Sequence, residues 1–368
     1  MANPEHLIIL KQGVEIWNQW RHEYPEIEPD LHAADLRDLM ANRVNLAWTD
    51  LREANLAGAC LTDANLTEAS LHHVNLEWAD LTCAILSGTN LLRANLHGAD
   101  LSGSHLSRVD LREAALNDSH LHEAHLLYSN LRHANLAGAD LSGARIYRCD
   151  LDESNWRGVL LNATLLTHLD LGAVYGLETA RHDGPSTIGI DTLYLSNGNI
   201  APAFLHGCGV PETAIALAQS LIGQARPFFS TLILYASTDQ ELAQQLQRDL
   251  GEHGLRVWLG PEDLPDGRRR RHAEEDHAVH DKFLLLLSRE SIASDWIELH
   301  VDMALEREQR ENSTLLFPLR LDDTMLQAPG KWPDQLRRTR YLNDFSQWRD
   351  PAAYQTALAR LVRDLQID

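Results

Sequence analysis

Several features are scarce in this chain, and each scarcity excludes a class of protein. The 368 residues include only four cysteines, and their spacing fits neither a disulfide framework nor a metal site. No apolar run is long enough to span a membrane, and the N-terminus lacks the basic and then apolar layout of a secretory signal. These absences predict a cytoplasmic protein without a membrane-spanning segment.

Positive charge is scarce as well. Lys and Arg number 32 against 53 Asp and Glu, which gives a formal net charge of -21. A chain with this excess of carboxylates repels phosphate groups, so nucleic acid is disfavoured as a partner. The length of 368 residues exceeds what one hydrophobic core usually serves, and we expect more than one domain.

A five-residue spacing dominates the first half of the chain. From Leu46 to Leu171 every fifth residue is Leu, except at Ile146 and Trp156, which makes twenty-six consecutive pentads. A mostly small residue precedes each large one by two places, and Asn or Asp usually lies between them. Apolar residues at this spacing drift around a helix and change faces on a flat strand. The spacing therefore predicts a closed coil in which each pentad places one large and one small side chain inward.

The repeated sequence A(D/N)LxxA(D/N)Lxx resembles the pentapeptide-repeat family. The resemblance implies a right-handed quadrilateral β-helix with four pentads per coil, in which neighbouring coils stack into a solenoid. The pentads would form about six and a half coils, or a rod of roughly 30 Å at the usual spacing of paired strands.

Some members of this family imitate a DNA duplex and bind gyrase, and that function is one alternative for this chain. Between positions 31 and 175 there are ten Lys and Arg against eighteen Asp and Glu, a net charge of -8. This charge is low for a duplex mimic of such length. Histidines are scattered over the outward positions without a consistent ligand geometry, so no metal site is predicted.

The pentad spacing weakens at both ends of the repeat, which predicts separate segments there. Residues 1–30 hold a helical pattern expected to cap the repeat region of 31–175, because an open β-helix end would recruit another chain. Residues 176–227 are expected to connect or cap, with a short strand pair around Asn197-Gly198 and a helix near Glu212 to Leu221. Two roles stay open for this segment: it seals the rod, or it offers the rod to a second subunit.

From position 228 to 368, short apolar strands alternate with amphipathic helices. Strands are predicted at 231–236, 254–258, 283–288 and 315–319, and helices at about 239–250, 292–308 and 351–365. A charged helix is predicted between the second and third strands. Since no tight hairpin turn joins these strands, the pattern predicts a parallel, doubly wound sheet.

A set of motifs in this region resembles a TIR domain. The motifs are Tyr-Ala-Ser-Thr-Asp at 235–239, Gly-Leu-Arg-Val-Trp at 254–258, Pro-Glu-Asp at 261–263, His-Asp-Lys at 280–282 and Ser-Ile-Ala-Ser-Asp-Trp at 291–296. The resemblance implies a flavodoxin-like α/β fold, and the joining of repeats to a TIR domain is similar to a known bacterial arrangement. It also implies either self-association for signalling or cleavage of NAD at its nicotinamide bond, often in defence against phage.

Catalytic TIR domains use a glutamate four places after the Trp of the last motif, where its charge stabilises the cationic ribosyl centre as nicotinamide leaves. Here Trp296 is present and is expected to stack on a flat ring, but the position four places on is His300. Histidine lacks the fixed negative charge. Glu298, the possible substitute, and Asp302 lie about 100° or more away around the helix. The strand also reads Leu-Tyr-Ala at 234–236 where the family commonly has Ser-Tyr-Ser, which removes two hydroxyls near the nucleotide cleft.

By the same resemblance, a bound nucleotide would contact Trp296, Ser237, Tyr235, Trp258 and Asp263, with a place in the core as the alternative for Trp258. Pro261, Glu262 and Asp263 resemble the loop through which TIR domains contact one another, although a strand-to-helix turn would need the same residue types. The four arginines at 268–271 fit either a phosphate or acidic neighbour, or surface ion pairs with the glutamates at 274 and 275.

The sequence therefore predicts a signalling or defence protein that works by assembly. The repeat rod would mediate oligomerisation or docking on an unidentified protein partner and would present TIR domains for homotypic contact, with NAD cleavage weak or lost. The alternative is an NAD glycohydrolase that is activated by assembly. No cofactor is required in either case, and NAD is expected only as a substrate or ligand.

Overall fold

The computed structural model describes residues 2–220, 222, 229–261, 273, 276–277, 279–311 and 313–366. The chain divides into two compact units, Met1–Arg226 and Pro227–Asp368. Each unit has its own core. None of the helices in the described ranges is both long and apolar enough to cross a bilayer.

The first unit is built from stacked pentads. Parallel β-bridges join residues twenty positions apart, from the pair Asp30 and Asp50 to the pair Asn155 and Tyr175. One coil therefore takes four pentads. The large residues of all the pentads from Leu46 to Leu171 are at most 2 % exposed and form one continuous core. The predicted inward placement of these side chains is confirmed.

One side of the coil forms a regular parallel sheet. Its strands are β1 (His105–Ser107), β2 (His125–Leu127), β3 (Arg145–Tyr147), β5 (Leu165–Thr167) and β7 (Thr187–Ile188). A second, smaller sheet pairs β4 (Leu160–Leu161) with β6 (Arg181–His182). In each strand of the larger sheet from β1 to β5, only the middle residue is buried. The two flanking side chains of each strand therefore face outward.

Where Asn or Asp precedes the large residue, its side chain stabilises the turn that follows. Asp50 Oδ1 accepts a hydrogen bond from the backbone N–H of Arg52 at 3.1 Å, and Asp140 Oδ1 accepts one from Ser142 at 2.9 Å. The next residue is left-handed, as at Glu53 with φ 57°. Asn and Asp side chains favour such turns because they bond the backbone two residues on. This local bond explains why Asn or Asp so often precedes a buried Leu.

Two helices cover the first coil. Helix α1 spans Pro4–Lys11 and helix α2 spans Val14–Glu23, with Gly13 between them at φ 120°. Trp17 Nε1 donates to the carbonyl oxygen of Asn45 at 2.7 Å, and Arg21 donates to that of Ala47 at 2.8 Å. These bonds satisfy backbone acceptors that the end of the coil would otherwise leave without partners.

The segment after the last coil is mainly helical. It contains a 3-10 turn at Leu177–Thr179 and the helices α3 (Ile190–Leu195), α4 (Pro202–Gly207) and α5 (Glu212–Ser220). The predicted strand pair around Asn197-Gly198 is wrong. Asn197 and Gly198 both have positive φ, and the Gly198 N–H donates to the Leu193 carbonyl at 3.1 Å, so this pair ends a helix rather than turning a hairpin. The helix predicted near Glu212 is confirmed.

In its described residues, the second unit is an α/β unit with five parallel strands. The strands are β8 (Ser230–Tyr235), β9 (Arg256–Pro261), β10 (Lys282–Leu287), β11 (Leu316–Arg320) and β12 (Asn343–Asp344), in the spatial order β9-β8-β10-β11-β12. Its helices are α6 (Gln240–Glu252), α7 (Arg289–Ile292), α8 (Asp295–Glu311), α9 (Thr324–Gln327), α10 (Lys331–Thr339) and α11 (Pro351–Gln366). The predicted parallel sheet is confirmed.

Helices cover both faces of this sheet. One face packs on α6 and α11 through residues that include Ile233, Tyr235 and Leu284. The other packs on α8 and α10 through residues that include Leu234, Phe283 and Leu285. Strand β12 was not predicted, because a two-residue polar strand carries no periodic pattern to detect. Helices α9 and α10 were not predicted either.

Candidate functional site

The order of the strands locates a crevice at the carboxyl edge of the sheet. In open parallel sheets, ligands bind outside the carboxyl ends of two strands whose connections lead to opposite sides, which here are β8 and β10. The residues that follow these strands include Ser237, Asp239 and Ser288. Ser288 Oγ donates a hydrogen bond to Asp239 Oδ2 at 2.6 Å, which joins the two strand ends directly.

The described part of this edge is rich in carboxylates. Burial raises the pKa of Asp239 above its ordinary value, although the Ser288 hydroxyl opposes the change. Asp322 accepts a hydrogen bond from the backbone N–H of Arg289 at 2.9 Å, and Arg320 pairs with Asp323 and Asp344. The polar groups here are bonded to one another, and the carboxylates would repel a phosphate group.

Position 300, where the TIR resemblance predicts a catalytic glutamate, lies in the core of the second unit. His300 is 0 % exposed on helix α8. Its ring lies edge-on to Trp296 with the centroids 4.5 Å apart, and it stacks on His277 with the centroids 5.2 Å apart. His277 in turn stacks on Phe283 of strand β10 at 4.2 Å. The spacing of four residues does place Trp296 and His300 on one helix face, and that face is buried against the sheet.

Burial also sets the protonation state of this pair. Desolvation lowers the pKa of His300 to about 4 and that of His277 to about 3, with the neighbouring histidine and Arg307 adding to the effect on His277. Among the described residues, the nearest carboxylate that pairs with His300 is Asp276, whose Oδ2 is 3.7 Å from Nε2. At neutral pH, position 300 therefore holds an uncharged imidazole.

Neither carboxylate near position 300 along the helix shares its environment. Glu298 and Asp302 are both exposed, whereas Ile297, His300 and Val301 are buried. A side chain two places away on a helix points about 160° away, so these carboxylates face solvent. Glu298 does not reach the surroundings of His300 from where it lies.

The other residues expected at a nucleotide do not converge. Tyr235 packs in the core between the sheet and helices α6 and α11, and Trp296 packs in the core on the opposite face. Ser237 is exposed beyond the end of β8. Trp258 lies on the edge strand β9, 41 % exposed, with the ring of His280 at 5.3 Å and the Arg256 guanidinium at 5.2 Å.

The predicted interface loop is only partly described. Pro261 is the last residue of β9, and its backbone pairs in register with Tyr235. Glu262 and Asp263 lie outside the described residues, as do the four arginines at 268–271 and the glutamates at 274 and 275.

The His-Asp-Lys motif at 280–282 has a structural role. Asp281 Oδ2 accepts hydrogen bonds from the Ser230 backbone N–H at 2.7 Å and from its hydroxyl at 2.8 Å. Lys282 is buried, and its Nζ donates to the Leu365 carbonyl at 2.7 Å and lies 4.1 Å from the centroid of the Phe229 ring. The motif thus ties the starts of β8 and β10 to the end of helix α11. Sequence reasoning named Lys282 only as part of this motif, without its buried partners, and did not predict the partnership of His277 with His300.

Two family models match the chain. A model of the TIR domain matches residues 232–362, and a model of pentapeptide repeats matches eight copies over residues 30–68, 69–108 and 104–143. The chain is a pentapeptide-repeat protein with a C-terminal TIR domain. This combination assigns it to the TIR-containing signalling or defence proteins.

Solved structures similar to the TIR-linked repeat are pentapeptide-repeat proteins. HetL, involved in heterocyst differentiation regulation in the cyanobacterium Nostoc sp. strain PCC 7120, is 31% identical over 43% of this chain and 76% of its own, with a TM-score of 0.21. Rfr23 from the cyanobacterium Cyanothece 51142 is 32% identical over 27% of this chain and 62% of its own, with a TM-score of 0.15. QnrB1, a plasmid-mediated fluoroquinolone resistance protein, is 14% identical over 40% and 79%, with a TM-score of 0.24. A search of curated proteins returned no match.

Proposed function

We propose that this pentapeptide-repeat TIR protein acts in signalling or defence by assembling with copies of itself, without cleaving NAD. The burial and the lack of charge at position 300 support this proposal. A fully buried, uncharged imidazole occupies the place where the family's catalytic members hold a carboxylate.

The chemistry of NAD cleavage explains why this position matters. The bond to nicotinamide breaks with positive charge developing on the ribosyl centre, and a preorganised negative charge nearby stabilises that transition state. His300 carries no such charge, and Glu298 and Asp302 face solvent on the other side of helix α8. The predicted nucleotide contacts Tyr235 and Trp296 lie on opposite faces of the sheet and do not line one cleft.

Without NAD cleavage we expect assembly to be the function, because both modules commonly mediate protein contacts. TIR domains and repeat rods both present extended surfaces to other proteins. We also propose the finer features of the two folds: a right-handed, four-sided coil for the repeat and a flavodoxin-like winding for the TIR domain. The twenty-residue bridge spacing supports the first, and the strand order of 2-1-3-4-5 along the sheet supports the second.

Two other functions are less well supported. An NAD glycohydrolase activated by assembly would need a carboxylate to move into the core beside Trp296. Imitation of a DNA duplex would need an acidic surface on every side, and the side that carries β1, β2, β3 and β5 presents Arg108, Arg145 and Arg148.

The assembly part of the proposal is tested by sedimentation velocity on the full chain over a hundredfold range of concentration. The expected result is a mass that rises from one chain to several. One-chain mass at every concentration would contradict it.

The catalytic part is tested with the His300→Glu variant, with His300→Gln as the matched uncharged control. Both variants are expected to release no nicotinamide from NAD, because the side chain at position 300 points into the core. The Glu variant should also lose about 3 to 5 kcal/mol of folding free energy, since it buries a charge without a fixed partner. Nicotinamide release by the Glu variant alone would instead mean that position 300 faces a working cleft.

A further inference from the structure

The outward surface of the repeat separates its charges by side. Each coil contributes one pentad to each of four sets of outward positions, and residues twenty apart stack in columns. We define the basic face as positions 85, 87 and 88 with the positions 20, 40, 60 and 80 residues further on. It carries the strands β1, β2, β3 and β5.

The basic face contains no carboxylate over these five coils. Its charged residues are Arg108, Arg145 and Arg148, and Arg108 and Arg145 are exposed. Carboxylates stand at its two ends: Glu68 is one coil earlier, and Asp191 approaches His168 with its Oδ2 3.4 Å from Nδ1. In a chain of net charge -21, this face is a local exception.

The pentads just before these form an acidic face. We define it as positions 60, 62 and 63 with the positions 20, 40, 60, 80 and 100 residues further on. It contains no Lys or Arg over six coils, and its charged residues are Asp63, Asp80, Asp100, Glu123 and Asp140. Arg43, one coil earlier in the same column, pairs with Asp63 at 3.5 Å. The two faces therefore carry opposite charge along the same length of rod.

The other two sides of the coil carry both signs of charge, and several of their arginines pair with carboxylates of the same side. Arg52 pairs with Asp50 at 2.6 Å, Arg112 with Asp110 at 2.6 Å, and Arg93 with Glu113 at 2.7 Å on one side. On the remaining side Arg37 pairs with Asp35 at 2.7 Å. Only the basic face and the acidic face therefore carry charges of a single sign.

We infer that repeat rods of two copies pack side by side, with the basic face of one on the acidic face of the next. This inference rests on the proposed function and names the surface that serves it. Charges on both faces repeat at multiples of one coil spacing, about 4.8 Å, because both belong to the same kind of coil. Their columns therefore match in pitch when two rods align. Complementary charge of this kind fixes the partner and the register of an interface.

The basic face also carries apolar side chains that such a contact would cover. Ile85, Tyr128 and Leu165 are 42 %, 37 % and 37 % exposed. Tyr128 lies edge-on to Tyr147 with the ring centroids 5.4 Å apart, which gives the centre of the face a preformed aromatic pair. Aromatic residues surrounded by Arg are typical of the energetic centre of an interface.

A second copy fits this face better than nucleic acid does. Each copy brings an acidic face of the same pitch, whereas a duplex laid on the basic face would run beside the carboxylates of the neighbouring acidic face. The contact joins two different faces, so it is heterologous and can add further copies. It should weaken in 0.5 M salt, where screening is nearly complete within a few ångströms.

The first test reverses charge on the basic face of the full chain. Arg108→Glu with Arg145→Glu is expected to raise the concentration of half-assembly at least about tenfold in sedimentation velocity, because like charges then face one another. Arg37→Glu with Arg157→Glu is the matched control: it changes net charge equally on a mixed side and should leave assembly within about twofold. Wild-type assembly with an unchanged midpoint in the first variant would overturn this inference and leave the proposed function standing.

A charge swap is the second test, and it distinguishes the loss of a contact from misfolding of a variant. Asp63→Lys with Glu123→Lys on the acidic face should also fail to assemble alone. Mixed with the Arg108→Glu, Arg145→Glu variant, it should assemble again, because each reversed face then meets its complement. Failure of the mixture to assemble while both variants keep the wild-type circular dichroism spectrum would overturn the inference. If wild type itself stays at one-chain mass, the proposed function and this inference both fall.

Discussion

Replacing Trp156 by alanine is expected to lower the free energy of unfolding of the repeat unit by about 3 to 5 kcal/mol. Trp156 is 0 % exposed and is the largest side chain in the row of inward residues that is otherwise nearly all Leu. Its removal would open a cavity between coils, and coils stabilise each other only through their neighbours. Urea unfolding of the full chain, followed by far-ultraviolet circular dichroism, measures the loss.

Trp78→Ala is the matched control for this change. Trp78 is 60 % exposed at an outward position and lies against His97 with the ring centroids 4.9 Å apart. Its replacement should change the free energy of unfolding by less than about 1 kcal/mol, since it leaves no cavity. Equal losses for the two variants would contradict the inward placement of Trp156.

The TIR domain is expected to lose about 4 kcal/mol of stability between pH 7 and pH 5. Folding lowers the pKa of His277 to about 3 and that of His300 to about 4, below the ordinary value of 6.5. As the pH falls below 6.5, the unfolded chain binds protons at both residues while the folded chain does not, so the unfolded state gains stability. Each pKa unit corresponds to about 1.4 kcal/mol per histidine, and the loss continues until the folded pKa is reached.

Thermal unfolding measured at several pH values tests this expectation. The variant with His277→Leu and His300→Leu should keep nearly constant stability over the same interval. His253→Leu is the control, because His253 is exposed in the same domain and its replacement should leave the wild-type pH dependence in place. A pH dependence that survives the double replacement would show that other groups cause it.

The repeat could be predicted because the positions of the pentad have separate physical roles. A period of five fixes the inward Leu, and the Asn or Asp beside it makes the turn bond that shapes the coil, as at Asp50 and Arg52. The segment after the coil was harder to predict, since Asn197-Gly198 suits both a hairpin turn and a helix end. Only the preceding residues decide between them, and here Leu193 supplies the helical carbonyl.

The candidate site was predictable by position and less so by environment. The spacing of Trp296 and His300 correctly places both on one helix face. Whether that face looks into a cleft or into the core depends on residues distant in sequence, such as His277 and Phe283. Tyr235 and Trp296 are a second example. They lie on opposite faces of the sheet because of the pairing of β8 with β10, and no local pattern encodes that pairing.

In the proposed function, the assembled protein does not cleave NAD. The most direct measurement incubates the wild-type chain with NAD at a concentration where sedimentation shows it assembled, and quantifies nicotinamide against a protein-free blank. The expected result is no release above the blank. Nicotinamide that accumulates in proportion to assembled protein would contradict the claim and assign the chain an enzymatic function despite the buried imidazole at position 300.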